Sequence, residues 1–372
     1  MNDSPTQFPV NWAQRINAPW IAAFRQPWVE SIVRLSAVED TLRALHPLLS
    51  LTTVRARVLR IVDETATTKT FVLQPNALWA GAQAGQFVQV RLEIDGRKIE
   101  RAYSLTSRPG SRRIAITVKR HDHGLVSGHL HDVVKVGDVL DISQALGEFM
   151  LPAVLPTKLL LLSAGSGITP VMAMLRELQA RHSAGDVVFV HVCRTPQDLV
   201  FAKELQALAG TWPALRLVLH FSTEHGLFSP SVLAQQVTDL AARSAWMCGP
   251  QAFMDAVAAH WQTQGLTVPL HSERFGGAVM RPAGAPGAPV QVSFSVTNKS
   301  FTSSGNDPLL QQAERAGLTP KHGCRIGICR SCQCLKTSGT VQNLQTGELS
   351  SAPNELIRLC ISSAHSDLEL AL

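Results

Sequence analysis

The sequence predicts a multidomain chain: a helical N-terminal arm, an antiparallel β-barrel, an α/β domain built on a parallel sheet, and a small α+β domain. Three observations carry that prediction. Short, alternating β-branched runs between Val54 and about Leu151 give way to alternating strands and helices between Lys158 and Phe275. A Pro-, Gly- and Ala-rich spacer, RPAGAPGAP (residues 281–289), then interrupts the pattern. The final segment sets three cysteines close together with a fourth far downstream. At 372 residues there is room for two to three domains, and a composition of 45% hydrophobic and 17% charged residues lets each bury a core. The expected divisions are 1–50 for the arm, 51–153 for the barrel, 154–280 for the α/β domain, 281–289 for the spacer and 290–372 for the last domain.

In the arm, apolar residues from Trp12 to Leu51 recur at mixed helical spacing, broken by Pro19, Pro27 and Pro47. Short amphipathic helices are expected, packed on the next domain. Trp12, Trp20 and Trp28, with Phe8 and Phe24, also suit a peripheral contact at a membrane boundary. Against that role, the polar face is not rich in lysine.

The barrel is read from VRARVLRIV, TKTFVLQ, QFVQVRLEI, RIAITVK and VLDIS, punctuated by Gly, Pro, Asn and Asp. Within it lies Arg101-Ala102-Tyr103-Ser104-Leu105, which contains the chain's one tyrosine. A guanidinium, a phenol ring and a hydroxyl on one strand suit a flavin: Arg101 for phosphate, Tyr103 to cover the ring system or ribityl, Ser104 to hydrogen-bond near N5. Downstream, Gly124-Leu125-Val126-Ser127-Gly128 opens a helical pattern, and backbone N–H groups at a helix start favour a pyrophosphate. The Ser127 hydroxyl is expected to add to that pyrophosphate site. Both cues suit a dinucleotide, so FAD is expected, with FMN the alternative. The histidines at 121, 123, 129 and 131 flank this loop without fixing a metal geometry and read as polar surface residues.

In the α/β domain, Leu159–Leu162 is a continuous apolar run, as in a strand buried on both faces. It leads into Gly165-Ser166-Gly167-Ile168-Thr169-Pro170 and then the helical VMAMLRELQARH. A glycine turn after a buried strand lets backbone approach a pyrophosphate, and Pro170 suits a first helical turn. VVFVHVC ends at Arg194, where such folds meet the adenine ribose. Arg194 therefore favours NADPH, with NADH the alternative. AWMC ends at Cys248-Gly249-Pro250, the strand edge expected beside the nicotinamide, and the domain closes on His271-Ser272-Glu273-Arg274-Phe275.

The last domain holds KHGCRIGICRSCQC (residues 321–334). Cys324, Cys329 and Cys332 form a C-x4-C-x2-C spacing completed by Cys360, the spacing of plant-type [2Fe–2S] centres. A zinc site usually pairs two C-x2-C knuckles, and only one is present. Cys334, two residues on, reads as a small buried strand residue. With four of seven cysteines assigned to a cluster, a reducing, cytoplasmic setting is expected rather than a disulfide framework. The net charge of +6 is dispersed, with no basic run of five, which argues against nucleic acid. No secretory leader and no apolar run of eighteen residues is evident, so no transmembrane segment is expected.

The Arg-x-Tyr-Ser motif, the GxGxxP turn and the CGP turn, in that order, resemble the ferredoxin–NADP reductase superfamily. The C-x4-C-x2-C segment resembles plant-type ferredoxin, which implies a ferredoxin-like (β-grasp) fold for the last domain. Together they resemble one-chain reductases that feed oxygenases, above all those serving acyl-CoA desaturases and phenylacetyl-CoA epoxidase. The resemblance implies flavin contacts at Arg101, Tyr103 and Ser104, a dinucleotide at Gly165, Gly167 and Pro170, and nicotinamide contacts at Cys248, Glu273 and Phe275. It further implies hydride transfer from NAD(P)H to flavin N5, then single-electron delivery to the cluster and on to a terminal oxygenase. A membrane fatty-acyl desaturase or hydroxylase is the expected acceptor. A soluble ring-hydroxylating oxygenase is the alternative, and a redox-sensing flavo-iron–sulfur protein a third reading. One departure stands out: residues 290–372 carry seven basic and six acidic side chains, whereas plant ferredoxins are acidic.

Overall fold

The computed structural model describes residues 35–372 except 95, 123, 182–184, 276–288, 304–306, 323–326, 328–329 and 345. The spacer (but for Pro289), the arm's tryptophans, Cys324 and Cys329 therefore lie outside the described residues. The chain divides into two compact units, Met1–Glu273 and Arg274–Leu372.

The first unit begins, among the described residues, with helix α1 (Leu35–Leu45). The residues after it are fastened to the barrel. Leu48, Leu49 and Leu51 are buried, and the Asn76 amide donates to the Leu48 and Thr53 carbonyls at 3.1 Å each. Glu39 of α1 accepts the Leu51 N–H at 2.9 Å. The end of the arm thus packs on the next domain.

The barrel comprises β1 (Val54–Thr65), β2 (Thr68–Pro75), β3 (Phe87–Ile94), β4 (Arg97–Ser104), β5 (Ile114–Lys119) and β6 (Val139–Ile142), with α2 (Leu125–Asp132) between the last two. They form one sheet in the order β4-β3-β6-β1-β2-β5, with antiparallel pairing. A bridge between Leu105 and Ile116 joins the two edges. The core is the inward half of the alternation, including Val58, Phe71, Leu73, Val88, Val90 and Ile116. Of β4, only the stretch from Arg101 was placed on a strand from the sequence. Its RKIERAYS is too polar to show alternation, yet it pairs along its whole length with β3.

The α/β domain comprises β7 (Lys158–Ala164), α3 (Ile168–Ala180), β8 (Asp186–Cys193), α4 (Ala202–Thr211), β9 (Leu215–Phe221), α5 (Ser222–His225), α6 (Pro230–Gln236), β10 (Ser244–Gly249), α7 (Gln251–Thr263) and β11 (Leu270–Arg274). Sheet order is β11-β10-β7-β8-β9, and β10, β7, β8 and β9 run parallel. The chain goes from β7 outward through β8 and β9, then returns to the other side at β10. The carboxyl ends of β7 and β10 therefore form the switch point where open α/β sheets bind ligands. Leu159 to Leu162 are fully buried. They alternate between two separate cores, one on each face of the sheet, which is why the run is continuously apolar.

The second unit holds β12 (Val290–Phe294), β13 (Lys299–Ser303), α8 (Leu309–Arg315), β14 (Gln333–Ser338), β15 (Val341–Asn343), β16 (Leu349–Ser350), β17 (Glu355–Arg358), β18 (Ser362–Ala364) and β19 (Leu368–Ala371). A five-stranded sheet in the order β13-β12-β19-β14-β17 mixes one parallel pair, β12 with β19, with antiparallel ones. A three-stranded sheet, β16-β15-β18, stands beside it. Helix α8 turns Leu309, Leu310 and Ala313 into a core with Val292, Phe294 and Leu370. A helix over a mixed sheet is the α+β arrangement the sequence implied. Among the described residues, no helix is long and apolar enough to cross a membrane.

Candidate functional site

Ser104 is the last residue of β4, opposite Phe87 of β3 in the register. Phe87 in turn forms a two-way backbone bridge with Leu146, both bonds at 2.9 Å. The next residue, Gly147, has φ +108°, and a Cβ there would lie 3.1 Å from the Phe87 ring and 3.9 Å from Glu273 Oε1. The positive φ is what calls for glycine at 147, and the 3.9 Å spacing places the Glu273 carboxyl beside the barrel strand that faces Ser104. Glu273 belongs to β11 of the neighbouring domain, so two domains within one compact unit close on the same spot.

On the other side, Glu273 and Cys248 are close enough that the carboxylate disfavours the thiolate. Cys248 is fully buried, and desolvation is the larger cause that holds its thiol well above the ordinary range. It is a neutral SH group at working pH. Burial also pushes the Glu273 carboxyl up to about 8. The two predicted turns touch: a Cβ on Gly167 would fall 2.2 Å from the Cys248 carbonyl oxygen and 2.7 Å from Gly249 N. Only glycine permits that approach. Gly165, at φ +53°, faces open space. Thr169 donates its hydroxyl to Ser166 O at 3.0 Å, holding the turn, and Pro170 sits within the first turn of α3. Gly249 and Pro250 lead directly into α7.

The buried polar atoms left without partners are informative. Ser104 Oγ, Glu273 Oε2 and Gln89 Nε2 are all buried with no hydrogen bond among the described residues. Cross-strand pairing puts Gln89 opposite Ala102, on the face shared by Phe87 and Ser104. Orphaned buried polar atoms are uncommon and call for a ligand or water. A flavin ring, edged with carbonyls and nitrogens, supplies partners of both kinds, so the residues present fit it. Gln89 was not singled out from the sequence. Its signal is an amide set among apolar residues in FVQV (residues 87–90).

Around this spot, Tyr103 is half-buried, and desolvation raises its phenol against the opposing pull of Arg101. Arg101 is exposed and donates to the Glu100 carbonyl at 2.8 Å. Leu105 is buried beyond the strand end. The Gly124–Ser127 loop differs from its expected use in one respect. Ser127 donates to Gly124 O and accepts from His121 N, each at 3.2 Å, so its hydroxyl holds the loop together. At the start of α2 the first backbone N–H groups have no partner within the helix; Leu125 is exposed there, whereas Val126 is buried in the barrel core. Arg194 is exposed at the end of β8, its carbonyl gripped by Thr223 N at 3.1 Å and Thr223 Oγ1 at 2.8 Å. Phe275 is 41% exposed, just past β11.

In the second unit, Cys332 and Cys360 are buried, with sulfurs 3.1 Å apart. Cys360 Sγ also accepts the Gly327 N–H at 3.1 Å. An N–H donated to sulfur stabilises thiolate and is one of the controls on a cluster's potential. The Arg358 guanidinium donates to the Gly327 carbonyl, steadying the loop. Cys334 is a buried residue of β14, as expected. Its SH faces the Ala371 carbonyl at 3.5 Å, and burial pushes it up to about 11.

A flavin-type barrel and a switch-point nucleotide site joined to a cysteine-bearing carrier domain define a pyridine-nucleotide-dependent flavo-iron–sulfur reductase. Comparison with known proteins gives the same class. Residues 57–151 match the oxidoreductase FAD-binding domain, 161–259 the oxidoreductase NAD-binding domain and 295–364 the 2Fe-2S iron–sulfur cluster binding domain. An NADPH oxidoreductase of Mycobacterium tuberculosis is 36% identical over 339 residues, covering 89% of this chain and 88% of that protein. A glycine betaine monooxygenase reductase subunit of Pseudomonas aeruginosa is 33% identical over 322 residues, covering 78% and 87%. Among solved structures, phthalate dioxygenase reductase matches with a TM-score of 0.59 at 25% identity, over 86% of this chain and 98% of that one. The chain belongs to the ferredoxin–NADP reductase superfamily, in the branch that carries a [2Fe–2S] domain, and is an oxidoreductase using FAD, NAD(P)H and a [2Fe–2S] cluster.

Proposed function

We propose that this reductase takes electrons from NADPH and delivers them, through FAD and the cluster, to an oxygenase-type partner, a membrane fatty-acyl desaturase or hydroxylase. The observation that carries the donor side is the convergence of Ser104, Glu273 and Cys248 from two domains, with two of the three side chains holding unpartnered oxygens. FAD, when bound, accepts an electron pair and releases electrons singly, which matches a two-electron donor to a one-electron carrier. Ser104 Oγ hydrogen-bonds at the flavin edge. Cys248 and Glu273 shape a dry nicotinamide pocket, and burial pushes the Glu273 carboxyl up to about 8. Phe275 covers the ring face. Gly165, Gly167, Thr169, Pro170, Gly249 and Pro250 form the backbone cradle for the donor, and Arg194 receives its 2′-phosphate. Cys324, Cys329, Cys332 and Cys360 ligate the cluster.

An oxygenase as acceptor is supported by the relatives' names, which include reductases of glycine betaine and 3-ketosteroid monooxygenases. A membrane acceptor is supported by the tryptophan-bearing arm. The alternative, a soluble ring-hydroxylating oxygenase, is favoured by the likeness to phthalate dioxygenase reductase. Anaerobic stopped-flow mixing with NADPH or NADH, followed by low-temperature EPR, tests the electron path. Flavin bleaching followed by the rhombic signal of one reduced [2Fe–2S] cluster is expected, faster with NADPH. Bleaching without a cluster signal would move the sensor reading to the front. Vesicle flotation of the full chain against a truncation at Arg34 separates the acceptors. The cut stops there because Leu48 and Leu49 belong to the barrel's packing. Flotation lost on truncation supports the membrane acceptor; no flotation of either form favours the soluble one.

A further inference from the structure

Helix α3 is the continuation of the glycine turn, and nine of its thirteen residues are buried. Arg176 is a cation in this setting with its side chain four-fifths buried. Its Nε and Nη2 grip the Glu204 carboxylate of α4 as a two-pronged pair, at 2.8 and 2.5 Å. Its guanidinium carbon lies 4.9 Å from the centre of the Phe201 ring. Phe201 holds a left-handed backbone, φ 61°, at the start of α4, a conformation that bulky residues rarely adopt. The remaining prong, Nη1, leaves the domain altogether and donates to the backbone carbonyl of Thr106.

Thr106 is two residues beyond Ser104. It is fully buried, and its N–H and hydroxyl both bond to Ala115 O, so its carbonyl is a fixed point of the barrel. Glu204 and Phe201 belong to the segment after Arg194, on the adenosine side of the sheet. One planar cation thus ties together the helix that starts at the dinucleotide turn, the adenosine-side helix and the end of the flavin strand. A rigid fork with fixed donor directions suits such registration better than a flexible point charge.

We propose that Arg176 is a positioning residue for flavin reduction: it sets the distance between the nicotinamide cradle and the flavin edge at Ser104. It touches neither substrate nor flavin. This rests on the reading of Ser104 and the Gly165 turn as the two halves of the donor site. Reaction between two held partners is steep in their separation, and misplacement on the order of 1 Å costs about 100-fold.

The test uses full-length holoprotein carrying Arg176→Gln, Arg176→Lys or Glu204→Gln. Flavin bleaching by NADPH in the wild type checks the underlying reading, and its absence there would remove that reading rather than this one. For Arg176→Gln, the limiting bleaching rate at saturating NADPH should fall on the order of tenfold or more. The NADPH concentration for half-saturation and the flavin content should stay within about twofold. The long-wavelength charge-transfer absorbance of the NADPH complex should weaken. Hydrogen–deuterium exchange in flavin-free protein should quicken in the 104–117 segment. Arg176→Lys should recover part of the rate, and Glu204→Gln should show a smaller loss of the same kind. A purely stabilising residue would lower the melting temperature and leave the limiting rate and charge-transfer band of the folded fraction unchanged. That result, or rate loss matched by an equal loss of NADPH affinity, would overturn the proposal. Should Arg176→Gln fail to fold, Glu204→Gln carries the same rate, absorbance and exchange readouts.

Discussion

Two buried ionisable residues, one in each unit, are treated in opposite ways. Lys336 of β14 is fully buried, and its ammonium has a partner for each of its three protons: Gly339 O and Ser350 O at 3.0 Å, and Glu355 Oε2 at 3.3 Å. Glu273 is almost as deeply buried, yet its Oε2 has no partner and its carboxyl is pushed up to about 8. Burying a charge without partners costs several kcal/mol, and the group stays neutral instead. The satisfied ammonium fastens the turn after β14 to strands β16 and β17. The unsatisfied carboxyl stands at the junction of two domains, in the proposed nicotinamide pocket. Satisfaction separates a group that serves the fold from one that serves the site.

The largest consequence falls on Glu273 in flavin-free protein. Between about 4.5, the ordinary value, and about 8, the folded chain holds a proton that the unfolded chain has lost. Stability is therefore fully present below the lower value and is lost as pH rises through the upper one. The decline amounts to something on the order of 5 kcal/mol, at ~1.4 kcal/mol per unit. Glu273→Gln should abolish it. Urea midpoints at pH 5 and pH 9 for both proteins measure this. An unchanged difference between the two pH values would show that Glu273 is not buried alone.

Lys336→Met should act on the other unit. It strips two partly buried carbonyls and one part-exposed carboxylate of their donor, at a cost of about 2 kcal/mol. The melting of the cluster's visible absorbance should move down by several degrees, while flavin bleaching by NADPH keeps its wild-type rate. Equal melting of variant and wild type would mean the buried ammonium contributes no net stability.

Much of the site was legible because its chemistry is concentrated in contiguous motifs. RAYSL, GSGITP and CGP each sit at a strand end, and strand ends are where a sheet presents side chains to a ligand. The buried β7 was equally plain, since a strand covered on both faces must be apolar throughout. What escaped was long-range convergence. Nothing in the sequence brings Gly147 to Glu273, or Arg176 to Thr106, because those meetings follow from strand order and domain packing. The first half of β4 was hidden by its charges, and β9 lies between two helices without a motif to mark it. Lys336 reads as a surface lysine, since lysine is seldom fully buried unless paired. Its partners, on the turn after β14 and on strands β16 and β17, appear only when the sheets are assembled.

Ser104→Ala sharpens the comparison at its finest point, because the same atom should matter for rate and not for stability. The Ser104 hydroxyl has no protein partner among the described residues, so deleting it strands nothing. Removing a donor aimed at developing charge in a dry site costs on the order of 30-fold in flavin bleaching by NADPH, about 2 kcal/mol of barrier. Unfolding free energy should shift by less than about 0.5 kcal/mol, the range of changes that break no contact. Flavin content and the cluster's EPR signal should be retained. An unchanged bleaching rate would remove Ser104 from the flavin edge. A stability loss as large as that of Lys336→Met would show that its hydroxyl is already satisfied within the fold, and the distinction between the two units would fail at that residue.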